Sequence, residues 1–218
     1  MNLSVDLANI RKNYSLQELN ESSVLPDPFQ QFSAWLQEAV QAALPEPTAM
    51  VLATADQAGI PSARVVLLKG VKDEGFLFFT NYLSHKGQDM AINPAVALTF
   101  FWPELERQIR IEGKVEKASE SESNEYFWSR PIGSQIGAWA SPQSKRVTNR
   151  QELEEANQQF TQKFSGLSKI PRPEHWGGYQ VRPHFVEFWQ GRPNRLHDRI
   201  VYTKDSENAL WQISRLAP

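Results

Sequence analysis

The chain has 218 residues and a formal net charge of −2, with 40% hydrophobic and 22% charged residues. This composition is typical of a globular protein with a sizeable core, and it gives no overall field that would attract nucleic acid or an anionic membrane. The sequence has no cysteine, which excludes disulfides, thiolate nucleophiles and cysteine-ligated metal centres. Since it also has no signal peptide and no apolar run of membrane-spanning length, we expect a cytoplasmic protein.

The N-terminal residues 1–25 are polar and carry one basic and aromatic cluster between Arg11 and Tyr14. They predict a mobile arm, with an ordinary disordered tail as the alternative. No later segment is rich enough in linker residues to divide the chain. We therefore expect residues 26–218 to form a single domain.

Capping residues and the helical spacing of apolar residues predict four helices. Residues 131–147 are rich in Gly, Ser, Gln and Pro, and they predict a loop between the third and the fourth helix. Capping boxes mark the third and fourth helices, with Glu122 and Gln151 as the acidic or amide partners. The predicted caps of the four helices are Asp27, Ser84, Ser119 and Thr148.

Short apolar runs separated by turn residues predict seven or eight strands. Because there is no alternation of strand, helix and strand, an antiparallel barrel with peripheral helices is favoured over a doubly wound sheet. The fold class is therefore mainly β. The predicted strands cover residues 49–55, 61–69, 75–80, 95–102, 108–117, 179–181 with 185–190, 199–203 and 210–215.

Basic side chains recur in the segment from Glu187 to Arg199, which begins as a strand, breaks, and resumes. Arg195, His197 and Arg199 are two residues apart, so in extended backbone they share one face. Beside Trp189, two guanidiniums and an imidazole suit an anionic, planar, aromatic ligand. The alternative is a solvated edge strand with ordinary surface arginines.

Other polar side chains stand at strand ends and helix starts. Arg64 and Lys69 fall on opposite faces of an apolar strand and could serve two anions, or could simply leave the strand at its ends. Lys86 follows a strand-to-helix junction, which favours a phosphate site or only a solvated lysine beside a capped helix. Together with six further polar residues, these basic residues suggest two phosphate-binding sites and one flat site for an aromatic ring. The further polar residues are Gln108, Tyr126, Arg130, Ser134, Gln143 and Ser144.

Metal binding is not expected. The four histidines lack the spacing of metal ligands, and no carboxylate cluster surrounds them. The common nucleotide-binding, zinc-protease and serine-hydrolase motifs are also absent.

Seven segments together resemble the pyridoxine (pyridoxamine) 5′-phosphate oxidase family, and they cover nearly the whole chain in the family's order. The resemblance implies an FMN-binding split β-barrel that works as a homodimer, with FMN in clefts at the subunit interface. Two departures are His85 and Glu46, where the family often has Arg and Asp. The segments are RVVLLKG (64–70), FFTNYLSHKG (78–87), FFWPELERQIRIEG (100–113), YFWSRPIGSQIGAWAS (126–141), WGGYQV (176–181), EFWQGRPNRLHDR (187–199) and RLAP (215–218).

The resemblance also implies roles for single residues, with Arg195 and His197 as the catalytic pair. The substrate would be bound by Arg11, Tyr14, Lys69, Tyr126, Arg130, Ser134, Arg195, Leu196 and His197. FMN would be bound by Arg64, Val65, Val66, Leu67, Leu68, Lys69, Phe79, Thr80, His85, Lys86, Gln108, Gln143, Ser144, Trp189 and Arg199.

The implied reaction oxidises the 4′ carbon of pyridoxamine or pyridoxine 5′-phosphate to the aldehyde of pyridoxal 5′-phosphate. FMN accepts the hydride, and O2 reoxidises the flavin and forms hydrogen peroxide. The implied partners are a second copy of the chain, the B6 phosphates and O2, with neither nucleic acid nor a membrane. Two alternatives stay open: a split-barrel protein that binds flavin, haem or pyridoxal phosphate without turnover, and a flavin reductase that uses a nicotinamide donor.

Overall fold

The computed structural model describes residues 9, 12–72, 74–206 and 209–218. Mostly antiparallel strands with helices around them confirm the predicted mainly β fold. Among the residues described, none of the helices has the length and the apolar character needed to cross a bilayer. The helices are α1 (Pro28–Gln41), α2 (His85–Ile92), α3 (Glu120–Ser129), α4 (Ile132–Ala140) and α5 (Arg150–Lys163). The strands are β1 (Ala49–Ala55), β2 (Pro61–Leu67), β3 (Gly70–Lys72), β4 (Gly75–Asn81), β5 (Ala95–Trp102), β6 (Arg107–Lys117), β7 (Trp176–Gln190), β8 (Asp198–Thr203) and β9 (Gln212–Arg215).

The chain divides into two compact units, which we name after the features they carry. The cleft unit consists of Thr48–Leu98 and Glu112–Pro183. The arm unit consists of Met1–Pro47, Thr99–Ile111 and His184–Pro218. The single domain expected over residues 26–218 stays a prediction.

The nine described strands belong to one sheet, in which seven follow the order β2-β1-β5-β6-β7-β4-β3, while β8 pairs with β7 and β9 pairs with β8. Strands β1 and β2 form an antiparallel hairpin, with Ala55 opposite Pro61 at its closed end. The hairpin turn is held by the side chain of Asp56, which accepts hydrogen bonds from the backbone N–H groups of Ala58 and Ile60. Alternate residues of β1, such as Met50 and Leu52, are buried, as expected for a strand with one face in the core.

Helix α4 corrects the prediction of a loop over residues 131–147. Its glycines Gly133 and Gly137 lower the intrinsic helix propensity, and for this reason the sequence pattern indicated a loop. The helix forms because Ile136 packs in a buried cluster with Phe127, Phe164, Ile170 and Trp176. Burial of this apolar face outweighs the local preference.

The other predicted helices are present, with one change of cap. Ser84 caps α2, and the capping box of Ser119 and Glu122 begins α3. Helix α5 is capped by Asn149 rather than by the predicted Thr148, and the Asn149 side chain accepts from the N–H of Glu152. An Asn at this position satisfies one of the free N–H groups of the first turn.

The arm unit is formed around α1, which Asp27 caps as predicted. In its core, Phe32 packs against Phe100 at 5.1 Å between ring centroids, and Trp35 packs against Phe188 at 5.2 Å. Strands β7, β8 and β9 pair in antiparallel order. The described part of the arm, residues 12–25, is anchored in this unit.

Backbone N–H groups of the arm donate hydrogen bonds to carboxylates of the arm unit. The N–H groups of Ser15 and Leu16 donate to the buried carboxylate of Glu106, over 2.8 and 3.1 Å. The N–H of Leu19 donates to Asp198, and the Leu19 side chain is buried. The arm therefore lies against the unit along several of its residues.

The segment after β7 corrects the expected extended face. Pro193–Arg195 forms a 3₁₀ turn, in which Asn194 and Arg195 have φ values of 56° and 62°. The turn is closed by a hydrogen bond from the N–H of Leu196 to the carbonyl of Pro193. Pro193 has no N–H to give to a strand pair, which favours a turn at this point. As a result, Arg195 does not share an extended face with His197 and Arg199.

The remaining strand predictions differ in their limits, and one short strand was not predicted. One continuous strand, β7, covers residues that were expected to form two pieces. Strand β2 ends at Leu67 rather than at Lys69, and the three-residue strand β3 was not predicted.

Candidate functional site

A cleft of about 350 Å³ in the cleft unit collects most of the side chains that sequence reasoning singled out there. We call it the basic cleft. Two further residues, Asn81 and Trp176, line it and were not predicted; they are neighbours in the pairing of β4 with β7. The predicted residues that line it are Arg64, Val65, Val66, Leu67, Lys69, Phe79, Thr80, Lys86, Tyr126, Arg130 and Gln143.

Lys86 and Arg64 form the first group of cations in the basic cleft. The Lys86 ammonium donates to Thr80 Oγ1 over 3.2 Å and to Gln143 Oε1 over 3.0 Å. Burial lowers the pKa of Lys86, and the nearby charge of Arg64 lowers it further. Among the described residues, no carboxylate lies within ion-pair distance of Lys86. Two partly desolvated cations without such a partner suit an anionic ligand.

The second group consists of Arg130 and a stack of three aromatic rings. Phe79 stacks on Tyr126 with ring centroids 4.0 Å apart, and Phe79 also stacks on Trp176 at 5.6 Å. The guanidinium of Arg130 lies 4.6 Å from the ring centroid of Trp176. This arrangement provides an apolar surface with a cation at its side.

One nitrogen of Arg130 has no hydrogen-bond partner in the part of the chain that the structure describes. Its Nη1 atom is buried and makes no hydrogen bond within the described part of the chain. Burial lowers the pKa of Arg130, and the nearby Tyr126 partly opposes this effect. A buried donor without a hydrogen bond costs free energy, and an acceptor atom of a ligand would remove this cost.

Four predicted residues of the cleft unit do not line the basic cleft. Leu68 is only 4% exposed, and its side chain belongs to the core. His85 is exposed, and its Nε2 lies 3.5 Å from Asp89 Oδ1. Ser134 on α4 and Ser144 after α4 are exposed. Their predicted roles stay predictions.

The arm unit holds a second pocket of about 570 Å³, which we call the arm pocket. Tyr14, Arg195 and His197 were predicted and are brought together in it. Lys12, Asn13, Arg192 and Asn194 also line it and were missed. The sequence did contain a signal for two of them. Lys12 and Arg192 are basic and lie close in sequence to the selected residues Arg11 and Arg195.

Three rings meet at the arm pocket. The centroids of Trp189 and His197 are 4.6 Å apart, and Tyr14 lies 5.7 Å from Trp189 and 5.8 Å from His197. Gly191 permits this approach, since a Cβ atom at its position would lie 2.7 Å from Cγ of Tyr14. The arm residue Tyr14 is thus placed directly against a predicted catalytic residue.

The environment of His197 favours its neutral form. Its pKa is lowered by burial and by the charge of Arg195, and it is raised less by Asp198. The backbone N–H of Arg192 donates to Nδ1 of His197 over 3.1 Å. An imidazole nitrogen that accepts a hydrogen bond uses its lone pair and carries no proton, so the proton of the neutral ring is on Nε2.

Arg199 is engaged inside the arm unit. Its Nε and Nη2 donate to the buried carboxylate of Glu187 over 2.8 and 3.0 Å, and its Nη1 donates to the carbonyl of Ala217. The hydrogen bonds to Glu187 raise the pKa of Arg199. The predicted contact of Arg199 with a flavin stays a prediction.

The remaining predicted residues are dispersed. Leu196 is 69% exposed, and Gln108 is half-buried on β6. Arg11 lies outside the described residues. Within the described ranges, no group of three or more His, Cys, Asp or Glu side chains could hold a metal ion.

Two family profiles match the sequence. The profile described as pyridoxamine 5′-phosphate oxidase matches residues 36–164. The profile described as the pyridoxine 5′-phosphate oxidase C-terminal dimerisation region matches residues 176–218. Together they cover most of the chain.

Curated relatives are similar along almost their whole length. A pyridoxine/pyridoxamine 5′-phosphate oxidase of Polynucleobacter asymbioticus is 57% identical over 212 residues. One of Burkholderia thailandensis is 55% identical over 213 residues. Each comparison covers 97% of this chain and 99% of the relative.

Solved structures share the fold. PhzG from Burkholderia lata, in complex with tetrahydrophenazine-1-carboxylic acid, superposes with a TM-score of 0.86 at 30% identity and covers 94% of this chain and 100% of its own. A pyridoxamine 5′-phosphate oxidase-related, FMN-binding protein from Nostoc punctiforme superposes with a TM-score of 0.69 at 16% identity, covering 88% and 98%. The second similarity concerns the fold alone.

Proposed function

Because the chain belongs to the pyridoxamine 5′-phosphate oxidase family and is an oxidoreductase, we propose that it binds FMN and oxidises pyridoxamine or pyridoxine 5′-phosphate to pyridoxal 5′-phosphate. In this proposal O2 is the electron acceptor and hydrogen peroxide the second product. The cytoplasmic location expected from the sequence is part of the same proposal.

The observation that carries the proposal is the presence of two desolvated cation groups in one cleft. Arg64 and Lys86 form the first group, and Arg130 with its unsatisfied Nη1 belongs to the second. The net charge of the chain is −2, so the basic character of the cleft is local. The reaction brings together two phosphate esters, and each group of cations suits one of them.

The residues present fit the phosphate of FMN at the first group. Lys86 and Arg64 supply charge, while Thr80 and Gln143 orient the Lys86 ammonium and can donate or accept at the same place. Bound there, FMN would supply the hydride acceptor, which no protein side chain provides. Val65, Val66 and Phe79 line the cleft and offer apolar contact for a flat ring.

The substrate phosphate fits the second group. Arg130, Tyr126 and Lys69 line the same cleft, and a phosphate oxygen would satisfy the buried Nη1 of Arg130. Holding the phosphate at a distance from the reacting carbon aligns that carbon for hydride transfer.

The arm pocket suits the pyridine ring of the substrate. Arg195 would contact the ring, Tyr14 would cover it, and neutral His197 would donate a hydrogen bond from Nε2 to the 4′ substituent. The match of residues 176–218 to a dimerisation region supports a homodimer. We propose that FMN binds at the interface of that dimer.

Anaerobic reduction of the bound flavin tests the proposal. The purified protein should be yellow, lose its visible flavin absorbance when pyridoxamine 5′-phosphate is added without air, and regain it with release of hydrogen peroxide when air is admitted. A protein that binds FMN but is not reduced by any B6 phosphate would instead be a binding protein. Reduction by NADH alone would identify a flavin reductase.

A matched pair of variants separates the two phosphate sites. Arg130→Met keeps the stem that packs on Trp176 but removes the charge, so FMN should still bind while reduction at low substrate slows about 100-fold, as expected for loss of a charged hydrogen bond. Arg150→Met removes an exposed arginine of α5 and should change neither property. Loss of FMN in Arg130→Met would contradict the assignment of Arg130 to the substrate.

A further inference from the structure

A buried carboxylate lies behind Arg64. Asp89 on α2 is only 4% exposed, and its Oδ2 accepts hydrogen bonds from Thr54 Oγ1 over 2.7 Å and from Ser62 Oγ over 3.2 Å. Thr54 and Ser62 are directly opposite each other in the pairing of β1 with β2. One carboxylate oxygen therefore connects the two strands of the hairpin that carries Arg64.

The same two hydroxyls hold the guanidinium. Arg64 Nη1 donates to Thr54 Oγ1 over 2.8 Å, and Nη2 donates to Ser62 Oγ over 2.5 Å. A guanidinium can only donate and a carboxylate can only accept. In the arrangement that makes all four of these contacts, both hydroxyls accept hydrogen bonds from Arg64 and donate hydrogen bonds to Asp89.

This network orients Arg64 without neutralising it by contact. Among the described residues, Asp89 makes no direct ion pair with Arg64, and its other oxygen, Oδ1, lies near His85. Arg64 Nε has no described hydrogen-bond partner, so the Nε side of the guanidinium stays available for an anion. Burial lowers the pKa of Arg64, and the charge of Asp89 counteracts part of this effect.

We propose that Asp89 is a positioning residue for the cofactor phosphate, acting on Arg64 through the hydroxyls of Thr54 and Ser62. The inference rests on the proposed function, because it assumes that Arg64 binds the phosphate of FMN. A hydroxyl that donates to a fixed carboxylate has a fixed lone-pair direction, and this direction sets where the guanidinium lies. Without Asp89 the hydroxyls rotate, and Arg64 loses its preorganised position.

Comparison of FMN with riboflavin tests the inference on the apoprotein, without turnover. Binding of either ligand is followed by the quenching of its flavin fluorescence. The two ligands differ in the phosphate, which riboflavin lacks. Asp89→Ala should weaken FMN binding about tenfold, the lower end of what loss of an orienting partner costs at metal sites. Riboflavin binding should stay as in the wild type.

Two further variants show whether the effect passes through the hydroxyls. Asp89→Asn keeps an oxygen that accepts from Thr54 and Ser62 but carries no full charge, so its FMN affinity should lie between those of the wild type and Asp89→Ala. Ser62→Ala should weaken FMN binding by itself, and Asp89→Ala combined with Ser62→Ala should lose less than the product of the two single effects. If Asp89→Ala does not fold, Asp89→Asn and Ser62→Ala still test the inference.

The control is Asp56→Ala in the same hairpin. Asp56 also accepts two hydrogen bonds, from the N–H groups of Ala58 and Ile60, but it has no described contact with Arg64. It should leave FMN affinity unchanged even where the melting temperature falls. Wild-type FMN affinity in Asp89→Ala, or an equal loss of FMN and riboflavin, would overturn the inference. A wild-type protein that does not prefer FMN over riboflavin would refute the proposed function instead.

Discussion

The backbone N–H of Arg192 donates a hydrogen bond to Nδ1 of His197 over 3.1 Å. This contact fixes the imidazole as the tautomer with its proton on Nε2. The segment between the two residues contains the 3₁₀ turn Pro193–Arg195, which brings the side chain of His197 back to the backbone of Arg192. His197 is therefore prepared to donate a hydrogen bond rather than to accept a proton.

Because the proton of His197 is on Nε2, we expect replacement of His197 by Gln and by Asn to slow the reaction to different extents. Gln can place its amide nitrogen near the position of Nε2, while Asn reaches only the position of Nδ1. We expect His197→Gln to slow anaerobic flavin reduction about tenfold and His197→Asn about 100-fold, since general acid–base groups contribute factors of about 10² or more. Stopped-flow absorbance measures both rates. Equal rates for the two variants would show that the Nε2 donor is unimportant.

Titration of His197 checks the electrostatics of the arm pocket. Its pKa should lie below the ordinary value of 6.5 because of burial and the charge of Arg195, and it should rise in Arg195→Gln. Because the folded-state pKa is the lower one, the folded protein loses stability as the pH falls below 6.5, and the loss is complete below the folded-state pKa. NMR of the imidazole C–H signals follows the titration. An unchanged pKa in Arg195→Gln would contradict the influence of Arg195.

An ionic cluster around Arg215 should hold the arm in place. Arg215 donates to Glu21 over 2.8 Å, to Asp198 over 2.6 Å and to the carbonyl of Leu19 over 2.9 Å. Arg215→Ala should therefore speed hydrogen exchange in residues 12–25. It should also raise the KM for the B6 phosphate about tenfold, because Tyr14 lies on the same segment, and leave FMN affinity unchanged.

Arg150→Ala is the matched control, because among the described residues Arg150 pairs only with exposed Glu154 on α5. Arg215 lowers the pKa of Glu21 to about 2, so the pair is present above pH 4.5 and is lost as the pH falls through about 2. The effect of Arg215→Ala should accordingly be constant between pH 6 and pH 8, a range chosen well above that pKa. Unchanged exchange in residues 12–25 would show that the cluster does not restrain the arm.

Replacement by Ala should have different effects at two glycines, Gly191 and Gly137. A Cβ atom at Gly191 would lie 2.7 Å from Cγ of Tyr14, so Gly191→Ala should displace Tyr14 and raise the KM for substrate. A Cβ atom at Gly137 in α4 meets nothing within 4 Å, so Gly137→Ala should stabilise the fold by about 0.5–1 kcal/mol. Thermal unfolding and steady-state kinetics separate the two cases. A lower melting temperature in Gly137→Ala would contradict the open space at α4.

Local signals were sufficient for most of the elements. Asp27 and Ser84 cap their helices because each offers an oxygen to a free N–H of the first turn, and this chemistry is readable from the sequence. Strand β5 was predicted over its observed residues, Ala95–Trp102, since a short, almost continuous apolar run follows the helix-ending Asn93-Pro94. Helix α4 was missed, because its stability comes from the burial of Ile136 rather than from its glycine-containing sequence.

The sequence by itself determined which residue types the candidate site contains, since Arg64, Lys86 and Arg130 stand in recognisable segments and the absence of cysteine limits the chemistry. Only the tertiary structure decided which of them meet. Sheet pairing and packing brought Trp176 beside Arg130 and left Ser134 at the surface. The support of Asp89 for Arg64 was likewise invisible in the sequence, because hydrogen bonds between distant residues depend on the folded positions of their atoms and not on their spacing along the chain.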